Sequence, residues 1–121
     1  MSLSVLICDD SNMARKQVLR ILPESLSENV QLATNGVEAL EILKNQTIDV
    51  LFLDLTMPVV DGVGVLEGIK EAGIQVKVFV ISADIQPEMQ NKVLELGAKA
   101  FLRKPVQLDV LTSHLKQHDI I

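Results

Sequence analysis

Three apolar runs, Val5-Leu6-Ile7, Val50-Leu51-Phe52-Leu53 and Val78-Phe79-Val80-Ile81, place hydrophobic side chains at consecutive positions rather than at alternate ones. A strand with one wet face alternates, so short runs of this kind fit strands covered on both faces. Parallel sheets between two layers of helices provide that cover, and each parallel pair needs a crossover of a dozen or more residues. The chain supplies such crossovers: segments with helical spacing separate strand-like runs at residues 4–8, 30–33, 50–54, 76–82 and 100–102. Val30-Gln31-Leu32 alternates, as expected of an edge strand.

The punctuation predicts five helices. The first starts near Ser11 or Asn12, buries Ala14, Val18, Ile21 and Leu22, turns Arg15, Lys16 and Arg20 outward as a basic face, and ends near Pro23. A second follows Thr34-Asn35-Gly36 and buries Ala39, Leu40 and Leu43. A third follows Asp61 as N-cap and stops at Gly73, weakened by Gly64 and Gly68 at about 1 kcal/mol each. Pro87 and Glu88 suit the first turn of a fourth, which Gly97 closes, and a fifth runs from about Gln107 to His118. With no linker or repeat between them, residues 1–121 read as one α/β domain.

Sixteen acids against 11 bases give a net charge of −5, and the deficit lies wholly in the first half: nine acids and four bases to residue 61, seven of each afterwards. An acidic chain without a basic, aromatic-studded stripe is a poor ligand for phosphate backbones, which argues against direct nucleic-acid binding. No apolar run approaches the roughly 18 residues of a membrane span. The 15 Val, 10 Ile and 18 Leu suffice for a core without disulfides, and the lone Cys8, inside an apolar run, reads as a small buried hydrophobe compatible with a reducing cytoplasm.

Ligands of open parallel sheets sit beyond the carboxyl ends of the strands, where the strand order switches. The strand-end residues here form one chemical set: Asp9-Asp10 after the first strand, Asp54 at the end of the third, Ser82-Ala83 after the fourth and Lys104-Pro105 after the fifth. Separately, each has an ordinary use: Asp9-Asp10 as helix cap and first-turn charge, Ser82 as a strand-end cap, Lys104 as a solvated cation. Together, three carboxylates at one edge require a cation, and an all-oxygen donor set favours a hard ion such as Mg²⁺. Beside it, Asp54 is placed to attack phosphorus and form an acyl phosphate, with Lys104 neutralising the phosphoryl oxygens and Ser82 donating a hydrogen bond to one.

These motifs, with Met57-Pro58, Asp61-Gly62, Asn35-Gly36 and Glu38-Ala39-Leu40 between them, resemble the response-regulator receiver domains, the CheY-like family, over essentially the whole chain. The resemblance implies a doubly wound, flavodoxin-like five-stranded parallel sheet of order 2-1-3-4-5 flanked by five helices. It implies a phosphoacceptor switch of a two-component system that catalyses only its own phosphorylation and dephosphorylation. Asp54 would take a phosphoryl group from a phosphohistidine of a histidine kinase or phosphotransfer domain. Asp10, Asp54 and the Thr56 carbonyl would bind Mg²⁺ directly, and Asp9 mainly through water. Ser82 and the inward-turning aromatic position, Phe101, would carry the change to the surface of the fourth helix, fifth strand and fifth helix, for an output protein or effector domain. Phe101 also reads as plain core. The Lys104–Pro105 bond is expected to be cis, and Thr56 and Asp84 occupy places that tune phosphoryl lifetime.

Two other classes share parts of this pattern. A flavodoxin-like FMN carrier should offer a hydroxyl- and glycine-rich loop after the first strand and aromatics to stack the flavin, where this chain has Asp9-Asp10 and neither Tyr nor Trp. A Mg²⁺-dependent phosphohydrolase of small molecules would use Asp54 or Asp9 as nucleophile, without a cap domain to select its substrate. His114 and His118, one helical turn apart, lack a third ligand in sequence and read as solvated histidines.

Overall fold

Strands β1 (Val5–Cys8), β2 (Val30–Ala33), β3 (Val50–Asp54), β4 (Lys77–Ser82) and β5 (Ala100–Arg103) pair in parallel in the order β2-β1-β3-β4-β5. Helices α1 (Asn12–Ile21), α2 (Gly36–Asn45), α3 (Gly62–Ala72), α4 (Pro87–Glu95) and α5 (Leu108–Gln117) make the crossovers. This is the expected flavodoxin-like arrangement, in a computed structural model that describes residues 3–57, 60–83 and 86–121. The chain steps outward from β1 to β2 and then returns past β1 to β3, so the switch in strand order lies between β1 and β3.

The non-alternating strands feed two cores. Leu6, Cys8, Leu51, Leu53, Val78 and Val80 join Ala39 and Leu43 of α2, Val65, Leu66 and Ile69 of α3 and Val93 of α4. Val5, Ile7, Val50, Phe52, Phe79 and Ile81 turn to the other face, against Val18 of α1 and Leu111 and Leu115 of α5. All of β1 and β3 is buried, as a strand between two helical layers must be. On the edge strand β2, Leu32 stays about half exposed.

The N-cap predicted at Asp61 forms, and Ser11 and Asn35, at the expected helix starts, cap as well. Oγ of Ser11 accepts from the Ala14 N–H at 3.2 Å, Oδ1 of Asn35 from Glu38 at 2.9 Å, and Oδ1 of Asp61 from Gly64 at 2.9 Å. Gly73 ends α3 with φ of 67°, and Gly97 follows α4 with φ of 107°. The glycine inside α3 has a packing reason: a Cβ on Gly68 would come within 2.8 Å of Cδ2 of Leu40, so its absence lets α2 and α3 approach closely. A 3-10 turn at Glu24–Leu26, too short to leave a periodic pattern, buries Leu26 beneath α1 and was not expected.

Candidate functional site

Asp9, Asp54 and Ser82 are the buried polar or charged residues of the described chain, 4%, 5% and 1% exposed. They stand at the carboxyl ends of β1, β3 and β4, beside the switch in strand order. One ligand oxygen from each of Asp9, Asp10 and Asp54 can lie within 4.8 Å of the other two. Asp10, on the outer lip, is exposed. Three carboxylates this close, one open to solvent, match a hard cation that keeps several waters and takes only one or two direct carboxylates. The donor set fits Mg²⁺.

Lys104 enters from the far side. Its Nζ lies 2.8 Å from Oδ2 of Asp9 and 3.0 Å from Oδ1 of Asp54. The Lys104 N–H donates to the Ser82 carbonyl at 2.9 Å, tying the end of β5 to the end of β4, and the Lys104–Pro105 peptide is cis as expected. Burial pushes the Asp54 carboxyl above the usual carboxylate range; the Lys104 ammonium counters this in part, and the charges of Asp9 and Asp10 reinforce it. Burial also works against the charge on Lys104, yet hydrogen bonds to Asp9 and Asp54 outweigh it and hold the ammonium more firmly protonated than an ordinary lysine.

Gly62 lets the loop after β3 fold back beneath the site. Its N–H donates to the Leu55 carbonyl at 3.0 Å, and a Cβ there would meet the Asp54 carbonyl oxygen at 2.5 Å and Leu55 Cα at 2.7 Å. Thr56 is exposed on this loop, two residues beyond Asp54. Phe101, in register with Val80, is half-buried against the core shared by α2, α3 and α4. Asp84 and Pro58 lie outside the described residues.

Cys8 is buried as expected, its Sγ 3.4 Å from the Asn35 carbonyl oxygen and 3.4 Å from Met57 Sδ. Burial, reinforced by Asp9 and Asp54, pushes its thiol up to about 12, so it is not a thiolate nucleophile near neutral pH.

Two sequence expectations need correction. Arg15 does not turn away with Lys16 and Arg20: it is half-buried, and its Nη1 donates to the Asp9 carbonyl at 2.6 Å. Helical spacing puts it outward, but a flexible side chain next to three carboxylates bends back toward them. His114 and His118 are half-buried rather than solvated, stacked on each other with centroids 6.5 Å apart, and His118 sets its edge to Phe79 at 5.5 Å. Neither belongs to a three-residue metal-ligand group among the described residues.

The model of the response regulator receiver domain family matches residues 5–116 of the chain. The chemotaxis protein CheY of Bacillus subtilis is 36% identical over 105 residues, spanning 87% of this chain and 88% of that protein. CheY of Treponema pallidum is 38% identical over 104 residues, 84% of this chain and 72% of that protein. Among solved structures, the CheX–CheY–BeF3–Mg²⁺ complex from Borrelia burgdorferi matches with a TM-score of 0.89 and 32% identity, covering 97% of this chain and 89% of that one.

Proposed function

The chain belongs to the response-regulator receiver domain family, and from that premise we propose that Asp54 is its phosphoacceptor. Receiver domains are signalling modules that catalyse only their own phosphorylation and dephosphorylation, and this chain is one of them. The observation that carries the assignment is the buried Asp54 carboxylate within 4.8 Å of the Asp9 and Asp10 carboxylates and bridged by Lys104.

An oxygen of Asp54 attacks phosphorus while the bond to the imidazole nitrogen of a kinase or phosphotransfer phosphohistidine breaks; the histidine leaves with the electron pair and an acyl phosphate remains. Asp10, Asp54 and the Thr56 carbonyl would hold Mg²⁺, with Asp9 beside them, and the ion when bound would supply positive charge for the phosphoryl oxygens. Lys104 keeps its proton and pairs with one of those oxygens. Ser82, at the end of β4, donates its hydroxyl to another. A Ser82 hydroxyl drawn toward the phosphoryl group and a Phe101 ring turned inward alter the face formed by α4, β5 and α5, where an output protein or effector domain reads the state. A buried neutral thiol and the absence, among the described residues, of a helix long and apolar enough to cross a membrane support a cytoplasmic setting.

Acetyl phosphate with Mg²⁺ should add one phosphoryl group to the chain by intact-mass spectrometry, and Asp54→Asn should abolish it. Equal labelling of the variant would assign the acceptor elsewhere. Beryllofluoride should shift the amide resonances of α4, β5 and α5; unchanged resonances there would remove that face as the output surface.

A further inference from the structure

Every polar atom of Asp9 is engaged. Its N–H donates to the Ala33 carbonyl at 3.1 Å, Oδ1 accepts from the Ser11 N–H at 2.9 Å, and Oδ2 accepts from Lys104 at 2.8 Å. The fourth, its carbonyl oxygen, accepts from Nη1 of Arg15 at 2.6 Å. The first three bonds belong to the sheet, the turn into α1 and the pocket, whereas the fourth comes from a residue with no part in the chemistry proposed above.

Consecutive residues of a strand project to opposite faces, so Asp9 and Asp10 can share one pocket only where the backbone leaves the strand. Strand β1 ends at Cys8, and the chain turns into α1 at Asn12. The Asp10 side chain makes no hydrogen bond of its own among the described residues, so the backbone, which sets the direction of its Cα–Cβ bond, is what aims it at the pocket or away from it. The Asp9 carbonyl belongs to the planar peptide that joins Asp9 to Asp10, and fixing that oxygen fixes the plane from which Asp10 departs. Arg15 does this with a charge-assisted bond, while its Nη2 donates to Oδ1 of Asn12 at 3.3 Å. Its Nε is buried with no hydrogen-bond partner among the described residues, a cost an outward-facing arginine would avoid.

We infer that Arg15 is a positioning residue for the cation site: it locks the Asp9–Asp10 peptide so that both adjacent carboxylates converge on the pocket. The inference rests on the reading that Asp9, Asp10 and Asp54 hold Mg²⁺. As a bare positive charge beside that site Arg15 would weaken cation binding, and as a tether it strengthens it, so the two roles predict opposite signs.

Calorimetric titration of the whole chain with Mg²⁺, for the unaltered protein, Arg15→Gln, Arg15→Lys and Asn12→Ala, separates them. Both Arg15 variants should bind about tenfold more weakly, as loss of an outer-shell orienting partner does. Lysine should not rescue, because one ammonium cannot span the Asp9 carbonyl and Asn12 together. Asn12→Ala should show a smaller loss in the same direction, and it serves as the deciding variant if those at Arg15 do not fold. The Asp10 amide resonance should respond to Mg²⁺ less in the Arg15 variants than in the unaltered protein. Equal or tighter Mg²⁺ binding by the folded variants overturns the inference alone. Failure of the unaltered chain to bind Mg²⁺ overturns the metal reading, and the inference with it.

Discussion

Lys104 reaches two carboxylates at once: its Nζ lies 2.8 Å from Oδ2 of Asp9 and 3.0 Å from Oδ1 of Asp54. One ammonium thus bridges a pair of buried acids, offsetting one of their two charges, at the ends of strands that neighbour each other in the sheet although the acids are 45 residues apart in sequence (54 − 9).

Removing that ammonium should be costly, and the cost should depend on the metal. Breaking a fully buried ion pair by deleting one partner costs about 3–5 kcal/mol. The Lys104 side chain is 26% exposed, so solvent recovers part of this, and Lys104→Met in EDTA should lose about 2–3 kcal/mol. Saturating Mg²⁺ replaces the missing positive charge and should recover much of the loss. Urea unfolding with and without Mg²⁺ measures both; an identical deficit in the two conditions would mean that Lys104 stabilises by packing and not by charge.

The raised pKa of Asp54 has a stability consequence of definite sign. The folded chain holds the Asp54 proton more tightly than the unfolded chain, so this group's contribution is fully present below the ordinary carboxylate range and is lost as pH rises through the folded value. Near neutral pH, without metal, the ionised side chain opposes folding. Asp54→Asn, which keeps the shape and an acceptor for Lys104, should therefore be more stable than the parent at pH 7 in EDTA. Its advantage should shrink to nothing below about pH 3, where both chains are neutral at this position. Unfolding free energies from acid to neutral pH check the sign: a variant less stable than the parent at pH 7 would contradict it.

Gly62 and Gly68 are both helical glycines, but they should answer differently to alanine. At Gly62 the new methyl meets backbone, the Asp54 carbonyl oxygen at 2.5 Å and Leu55 Cα at 2.7 Å, which cannot move without moving the acceptor. Overpacking against fixed atoms costs about 1–3 kcal/mol, so Gly62→Ala should lose stability in that range and slow acetyl phosphate labelling. At Gly68 the nearest atom is the end of the Leu40 side chain at 2.8 Å, which can rotate, and the helix gains about 1 kcal/mol in propensity. Gly68→Ala should lie within about 1 kcal/mol of the parent. Paired urea melts decide, and equal losses would mean that α2 is as unyielding as the backbone under Asp54.

The contrast shows where the sequence could be read and where it could not. The parallel, doubly covered type of the strands was legible because Val5-Leu6-Ile7 and Val50-Leu51-Phe52-Leu53 have no polar position to offer water, whereas their order across the sheet came from the family resemblance and not from the runs themselves. Asp9, Asp10, Asp54, Ser82 and Lys104 were legible because a parallel fold brings strand ends together and those ends carry complementary chemistry. Arg15 was not, because helical periodicity gives the direction of a Cβ and says nothing about where a long, flexible guanidinium ends. Gly68 looked like a weakness of α3 because propensity is local, while its purpose lies on α2. The half-burial of His118 likewise involves Phe79, a contact with the sheet face that spacing along α5 cannot encode, and His114 stacks on His118 in turn.

Mg²⁺ should stabilise the fold, and Asp10 should be the residue through which that effect can be removed most cleanly. A ligand that binds only the folded chain adds about 2.7 kcal/mol when present at about 100 times its Kd, which for a domain of this size raises Tm by roughly 10 °C. Asp54 and Asp9 are buried and paired with Lys104, so changing either disturbs the metal-free protein as well. Asp10 is exposed, and Asp10→Asn should alter metal-free stability by no more than about 0.5 kcal/mol. The same change removes one of three clustered charges and should abolish most of the Mg²⁺-induced rise in Tm. Asp61→Asn, which replaces an exposed acid outside the cluster and keeps an N-capping side chain, should leave the rise intact. Thermal scans of the three proteins across a Mg²⁺ titration give the comparison. A full rise in Asp10→Asn would take Asp10 out of the ligand set, leaving Asp54 and Asp9, whose two charges Lys104 offsets only in part, to attract the ion.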